Sequence, residues 1–252
     1  MLNIAITGAA SGLGRVLTER FSSAGHTVFA CDISEEALAE LKRDGLAALA
    51  ERVDVSRHEE IETWFQRIFA HTSTLDVLIN NVGVAGPHAS VDELKLSDWH
   101  QTLNANLTSA LVATQLALPA MKRARSGSII NVSTISVLTN PPCRSPYVVS
   151  KAALEALTVA IAREAGPFNV RCNAVRPGMM NNDRLNRILQ RLAAQSGKTQ
   201  QEVESDQLRY IWMGRKVEML EVAGLIEFLT SAAARSITGQ VISVDAGMHW
   251  EE

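Results

Sequence analysis

Cysteine is nearly missing from this 252-residue chain, and its three copies, Cys31, Cys143 and Cys172, are odd in number and lack metal-ligand spacing. That excludes a disulfide framework and a zinc module, leaves no metal expected, and makes a reducing cytoplasm the expected compartment. Cys31 and Cys172 sit in strand-like runs and read as small buried hydrophobes. Cys143 borders a candidate pocket, but a catalytic thiol needs a basic partner, and none can be assigned. An excess of either charge is also missing: 24 Lys and Arg against 27 Asp and Glu leave a net charge of −3, which favours neither nucleic acid nor an anionic membrane surface as partner. No stretch is long enough to span a bilayer. Met1-Leu2-Asn3-Ile4 enters a strand at once, without the basic region and apolar run of a signal peptide. Repeats, low-complexity tracts and linkers are lacking too. With 46% hydrophobic residues, the chain suits one α/β domain over 1–252; two are possible by length alone.

What is present is alternation. Strand-like runs fall at Asn3–Thr7, Thr27–Asp32, Ala47–Val53, Val77–Asn80, Ser128–Ser133, Val170–Arg176 and Gln240–Val244. They are nearly all apolar, as expected of parallel strands covered on both faces. Helical patterns lie between them, at Leu13–Ala24, Glu35–Lys42, His58–Ala70, Asn104–Ala124, Tyr147–Ala165 and Val217–Ser231. Ser56-Arg57-His58-Glu59 has the form of a capping box opening the third helix. Residues 179–215 break the alternation with a polar, helical insertion after the sixth strand, where an α/β sheet carries a ligand-binding lid.

Gly8, Gly12 and Gly14 follow the first strand and open a helix, so the backbone can turn tightly against a pyrophosphate at the helix N-terminus. The spacing is G-x-x-x-G-x-G rather than the commoner G-x-G-x-x-G, and a ligand-free Gly-rich turn is the plainer alternative. Asp32, at the end of the second strand and 18 residues beyond Gly14, is placed to bond a ribose diol. Its charge repels a 2′-phosphate. Ser11 in the turn and Ile33 after Asp32 are not basic, so NAD is expected over NADP. Asp54 and Val55, ending the third strand, face the adenine edge or form an ordinary turn.

Tyr147 and Lys151 stand four apart on one helix face. Free tyrosine titrates near ~10, so proton transfer at neutral pH needs a shift of roughly 2–3 units, which a neighbouring cation can supply. Alone, this spacing is weak evidence, since it recurs on many surface helices. Its occurrence downstream of the glycine turn is what gives it weight.

With Asn80-Asn81-Val82-Gly83, Asn106, Ser133-Thr134, Pro177-Gly178 and Val244-Asp245-Ala246-Gly247 in the same order, the chain resembles the short-chain dehydrogenase/reductase family, in the subgroup usually called "classical", over essentially its whole length. The resemblance implies a Rossmann-like, doubly wound domain of about seven parallel strands flanked by helices. It implies that Tyr147 is the acid/base and that Lys151 lowers the phenol pKa and holds the nicotinamide ribose. Asn106, seven residues after Trp99, matches the asparagine that retains a relay water. Gly8, Ser11, Gly12, Leu13 and Gly14 would hold the dinucleotide at one end; Asn80, Val82, Gly83, Pro177, Gly178 and Met180 would line it at the other. Three positions depart from the family. Thr134 stands 13 residues before Tyr147, where serine is usual, with Ser133 as the fallback should the register shift by one. Val82 replaces an alanine, and Asn182 a threonine.

The substrate pocket is expected between Val84–Ser90, Leu138–Pro146 and the insertion, with His88, Asn140, Arg144, Asn181 and Arg184 as its polar residues. These favour a polar small-molecule substrate (a sugar, polyol or hydroxy acid), although each is also an ordinary solvated loop residue. Tyr210, Trp212 and Met213 form either an apolar lid face or core. The expected activity is NAD-dependent hydride transfer between nicotinamide and a secondary alcohol or ketone. An NADPH-linked carbonyl reductase is the alternative, followed by a nucleotide-binding regulatory protein without turnover. The Ala- and Leu-rich helices Asn104–Ala124 and Tyr147–Ala165, which relatives pair between subunits, make a homotetramer or homodimer the expected assembly.

Overall fold

The apolar runs form β1 (Asn3–Thr7), β2 (Thr27–Asp32), β3 (Leu49–Arg52), β4 (Val77–Asn80), β5 (Gly127–Val132), β6 (Val170–Pro177) and β7 (Val241–Val244). In the computed structural model, which describes residues 1–249, all seven pair in parallel in the order β3-β2-β1-β4-β5-β6-β7. The unit expected over 1–252 thus has its last three residues outside the described ones. Side chains alternate between two covered faces. Ile4 and Ile6 pack on one side with Leu17, Leu41, Val222 and Ile226. Ala5 between them packs on the other with Trp64, Phe65, Ala113 and Ile161. Helices α1 (Gly12–Ser23), α2 (Glu35–Arg43) and, at the end of the chain, α10 (Met219–Thr230) therefore cover the first face. On the second lie α3 (His58–His71), α5 (Ser109–Ala124) and α7 (Ser145–Ala165).

The remaining helices are α4 (Leu96–Leu103), the short α6 (Ser136–Thr139), α8 (Asp183–Ser196) and α9 (Gln200–Leu208). Local chemistry explains most helix ends. Ser34 caps α2 by accepting from the Ala37 N–H at 3.3 Å, with Glu35 and Glu36 in the first turn and Lys42 and Arg43 in the last. The capping box expected at Ser56 does not form. The Ser56 hydroxyl instead donates to Asp54 at 2.7 Å, and Arg57 takes the cap position without a side-chain bond. Glu60, rather than Glu59, reaches back to accept from the Asp54 N–H at 2.7 Å.

The long helix expected from Asn104 starts earlier, at Leu96, and runs through a π-helical turn at Asn104–Thr108 before continuing as α5. Residues 179–215 fold as α8 and α9 over a small apolar cluster of their own: Met179, Leu189, Ala193, Val203 and Ile211. Asn182 caps α8 and Thr199 forms a capping box with Glu202. The strand order reverses between β1 and β4, so their carboxyl ends open a crevice beneath this helical pair.

Candidate active site

A cleft of about 1770 Å³ occupies that crevice. One end is walled by Asp32, Ile33, Asp54 and Val55. Gly8, Ser11, Gly12, Leu13, Val82 and Gly83 form its middle. Ser133, Thr134, Tyr147, Lys151, Pro177, Gly178 and Met180 bound the other end, with α8 over the top. Three of the residues expected to catalyse or to hold the cofactor, Gly14, Asn80 and Asn106, do not wall it, and each has a structural task. Gly14 is a close-packing position: a Cβ there would lie 1.9 Å from the Gly8 carbonyl oxygen, so only glycine lets α1 seat on the turn. The Asn80 amide points into the sheet layer and donates to Asn131 Oδ1 at 2.8 Å, while Asn131 donates to Thr158 Oγ1 at 2.8 Å. Its neighbour Asn81 takes the wall position, donating to the Thr7 and Gly8 carbonyls at 3.1 and 3.0 Å and so holding the glycine turn.

Asn106, inside the π turn, accepts from the Val84 N–H at 2.7 Å and donates to the Val84 carbonyl at 3.0 Å and to Ser150 Oγ at 2.9 Å. Both amide hydrogens are spent, so this side chain braces the 82–84 loop against α7.

Tyr147 and Lys151 come from the first turns of α7, with Pro146 early in the helix, where a missing N–H costs nothing. Both face the cleft and both are almost fully buried. Lys151 Nζ donates to the Val82 carbonyl at 3.0 Å and the Val132 carbonyl at 2.7 Å, joining the loop after β4 to the end of β5. The Val82 side chain, unusual by resemblance, leaves that carbonyl contact intact.

At the adjacent hydroxyls, Ser133 Oγ donates to Glu155 Oε1 at 2.6 Å. The same carboxylate takes Arg176 through Nε at 2.7 Å and Nη2 at 2.5 Å. Arg176, held by this carboxylate, has its pKa raised. The Ser133 hydroxyl is therefore committed to a buried ion pair. Thr134 Oγ1 has only weaker local bonds, to Ser136 Oγ at 3.3 Å and the Ser136 N–H at 3.2 Å. The Glu155–Arg176 pair was not singled out in the sequence. Its signal was present as an acid eight residues past Tyr147, within the largely apolar run between Lys151 and Arg163.

At the far end, Asp32 is 8% exposed and accepts from the Ala10 N–H at 2.9 Å and the Ser34 N–H at 3.1 Å. Asp54 accepts from the Ser56 hydroxyl, which with its backbone N–H holds the carboxyl below its ordinary pKa. It is thus both a turn residue and part of the wall. Of the expected substrate residues, His88, Arg144, Asn181 and Arg184 line the cleft. Asn140 does not; it ends α6 in a left-handed conformation. Asn182 lines the cleft, but its Oδ1 is used to cap α8. Tyr210, Trp212 and Met213 lie outside the wall, and Trp212 and Met213 are largely exposed rather than core. Burial pushes the Cys31 and Cys172 thiols up, away from reactivity. Among the described residues, no group of His, Cys, Asp or Glu is placed to hold a metal ion, and no helix is long and apolar enough to cross a membrane.

Residues 8–249 match the family model described as Enoyl-(Acyl carrier protein) reductase. The chain is 34% identical over 248 residues to the 3-oxoacyl-[acyl-carrier-protein] reductase FabG of Thermotoga maritima, covering 96% of each. A solved NAD+-bound xylitol dehydrogenase superposes with a TM-score of 0.90 at 25% identity, over 98% of each chain. YwfH, an NADPH dependent reductase involved in bacilysin biosynthesis, shares the fold with a TM-score of 0.92 at 24% identity, over 100% of this chain and 99% of that one.

Burial, and after it the positive field of Arg184, lowers the Lys151 pKa to about 7. Its value when unfolded is near ~10.4. Below pH 7 both states carry the ammonium and the fold bears the burial cost; between the two values the folded lysine is already neutral, so this contribution to stability improves as pH rises. The melting temperature of the cofactor-free chain minus that of Lys151→Met should therefore increase by about 3 °C or more between pH 7 and pH 9.5. Parallel melting curves across that range would show that burial does not penalise this ammonium.

Proposed function

The chain belongs to the short-chain dehydrogenase/reductase family of oxidoreductases, and we propose that it is an NAD-dependent dehydrogenase that interconverts a secondary alcohol and its ketone. The observation that carries this reading is one cleft lined by Tyr147 and Lys151 at one end and by the glycine turn and Asp32 at the other. The residues fit a nicotinamide dinucleotide: Gly8 to Leu13 and the N-terminus of α1 suit its pyrophosphate, Asp32 a ribose diol, and Lys151 and Gly83 the second ribose. When bound, that cofactor supplies the site that accepts or returns a hydride.

The chain's own residues manage the proton and the alignment. In oxidation, Tyr147 Oη takes the proton of the substrate hydroxyl, and in reduction it returns it. Lys151, fixed by two carbonyls, holds its Nζ at the catalytic end of the cleft, four residues along α7 from Tyr147. Thr134 Oγ1 donates to the substrate oxygen, and Ser133 holds the strand end in register through Glu155. Asn106 positions the loop that carries Val82 and Gly83. Residues 1–252 act as one unit, with 179–215 as its lid; three free cysteines suit a reducing cytoplasm.

Two observations support NAD. Asp32 stands where a 2′-phosphate would be repelled. Arg15, the basic residue on the wall near the glycine turn, is already taken by Glu19, Glu40 and Asp44 at 2.6, 3.5 and 2.8 Å. The second reading, an NADPH-linked carbonyl reductase, draws on the reductase names of the relatives. A homotetramer or homodimer is favoured by Leu111 on α5 and Val149 and Val159 on α7, each more than a third exposed. Sedimentation at the 27.3 kDa of a single chain would remove that assembly.

Titration with NADH and NADPH, followed by nicotinamide fluorescence, should give tighter NADH binding by tenfold or more, and Asp32→Ala should shrink the ratio. The reverse preference moves the reading to the NADPH-linked reductase. Tyr147→Phe should lower kcat by at least about 1000-fold with NADH affinity nearly kept. Thr134→Ala should lower kcat strongly and Ser133→Ala should chiefly lower stability. A kcat loss in Ser133→Ala alone would shift the hydroxyl assignment by one residue.

A further inference from the structure

Arginine in this chain is commonly tied to a carboxylate. Arg15, Arg20, Arg176 and Arg215 each have one within 2.8 Å. Of the arginines that line the cleft, the two that lie over the Tyr147 ring are different. The guanidinium carbon of Arg144 lies 5.1 Å from the centre of the Tyr147 ring, and that of Arg184 lies 5.4 Å from it. They reach the ring from separate elements, Arg144 from the residue before α7 and Arg184 from α8 of the lid. Asp98 and Asp183 also line the cleft, yet neither pairs with these arginines. Arg184 Nη1 donates to the Gly83 carbonyl at 3.0 Å, which fixes its direction without neutralising it. Arg144 Nε is buried with no hydrogen-bond partner among the described residues.

Two unneutralised cations in a half-buried site, one with an orphaned donor, are costly. Burial holds the Arg144 pKa below its ordinary value. Tyr147 opposes this in part, and the like charges of Arg184 and Arg191 push it further down. Contact with the aromatic face offsets only part of this cost and leaves the buried Nε unmet. An anion is the group that satisfies both charges and the free donors, and the planar fork of arginine matches a carboxylate in particular. The chain as a whole is slightly acidic, so this local excess of positive charge is not a by-product of composition.

We propose that Arg144 and Arg184 form a carboxylate clamp, and that the substrate is a short hydroxy acid or its keto acid with the carbinol only a few bonds from the carboxylate. This rests on the dehydrogenase reading above and narrows it from polar substrates in general to acids. The carboxylate sits between the two guanidinium groups, and the carbinol oxygen then falls to Tyr147 Oη and Thr134 Oγ1. In oxidation a bound nicotinamide would serve as the acceptor of the carbinol hydride, and the hydroxyl gives its proton to Tyr147 Oη. This two-electron step forms the C=O bond and leaves the carboxylate unchanged. Arg184 lies on the lid, so binding the acid also draws α8 onto the phenol and favours a closed, drier site.

Calorimetric titration with butanoate and with butanamide, its uncharged counterpart, tests the clamp without requiring turnover. Wild type, with NADH present or absent, should bind butanoate at least tenfold tighter than butanamide, and Arg144→Gln and Arg184→Gln should each remove that preference. Equal affinities, or a preference kept in both variants, overturn the clamp whatever the enzyme turns over. Tighter binding of propyl phosphate than of butanoate, lost in the same variants, overturns the carboxylate and gives the site to a phosphate ester. In steady state with NAD, kcat/KM for 3-hydroxybutanoate should exceed that for 2-butanol by 100-fold or more, and each variant should lower this ratio at least tenfold. If no alcohol is oxidised but the butanoate preference and its loss stand, the clamp is supported and the dehydrogenase reading is what fails.

Discussion

The site depends on a single buried ammonium. Lys151 is 2% exposed and bonds the carbonyls of Val82 and Val132, so it joins the loop leaving β4 to the end of β5. Burying an ammonium costs free energy unless the charge is met by partners. The two carbonyls meet it only in part, which is why burial still lowers its pKa to about 7. That strained balance has a functional reading. A lysine near neutrality at pH 7 gains most from an added acceptor or negative charge, and a ribose diol or a phenolate beside it supplies one or the other. The cost of burial also explains the bracing around it. Asn106 and Ser150 tie the 82–84 loop to the helix that carries Lys151, so a shift of either element would break bonds in both.

A second buried charge sets the adjacent strand end. Glu155 and Arg176 form a bidentate pair joining α7 to β6, and Ser133 at the end of β5 donates to the same carboxylate. With the Ser133 hydroxyl committed to Glu155, Thr134 is left as the adjacent hydroxyl on the cleft wall with only weak local bonds. Removing one partner of such a pair commonly costs about 3–5 kcal/mol, because the other is left buried and uncompensated. The register of the candidate catalytic hydroxyl is thus held by residues that never approach a substrate.

Much of this was legible in the sequence, for reasons specific to each element. β1, β2 and β4 were bounded correctly because their apolar runs end at polar or glycine residues, as at Thr7-Gly8 and Asp32. The glycine turn, Asp32 and the Tyr147–Lys151 pair, which line one cleft, stood out in the sequence because their residue types recur at fixed spacing. What was not legible depended on partners distant in sequence. Asn80 was expected at the cofactor and bonds Asn131 instead, 51 positions away. The Ser56 capping box was lost because Asp54 competes for the same hydroxyl, a local alternative that short polar side chains commonly offer. The start of α4 was obscured because Lys95 caps it without a side-chain bond, and the π turn at Asn104–Thr108 is no feature of hydrophobic period.

Charge completes the account of how one cleft separates its two ends. At the end walled by Asp32 and Asp54 the cleft is acidic or neutral, with Arg15 consumed by three carboxylates. At the catalytic end the wall carries Lys151, Arg144 and Arg184, and no acid pairs with them among the described residues. A single cofactor spanning the cleft therefore meets a field that changes sign along its length. An uncharged diol suits one end, and anionic character from substrate or phenolate suits the other. The same polarity would orient a small acid before any close contact formed, since its carboxylate would be drawn to the arginine end and away from Asp32. A neutral sugar or polyol gains nothing from that gradient: its hydroxyls can accept from the Arg144 Nε but bring no charge to offset the two guanidinium groups.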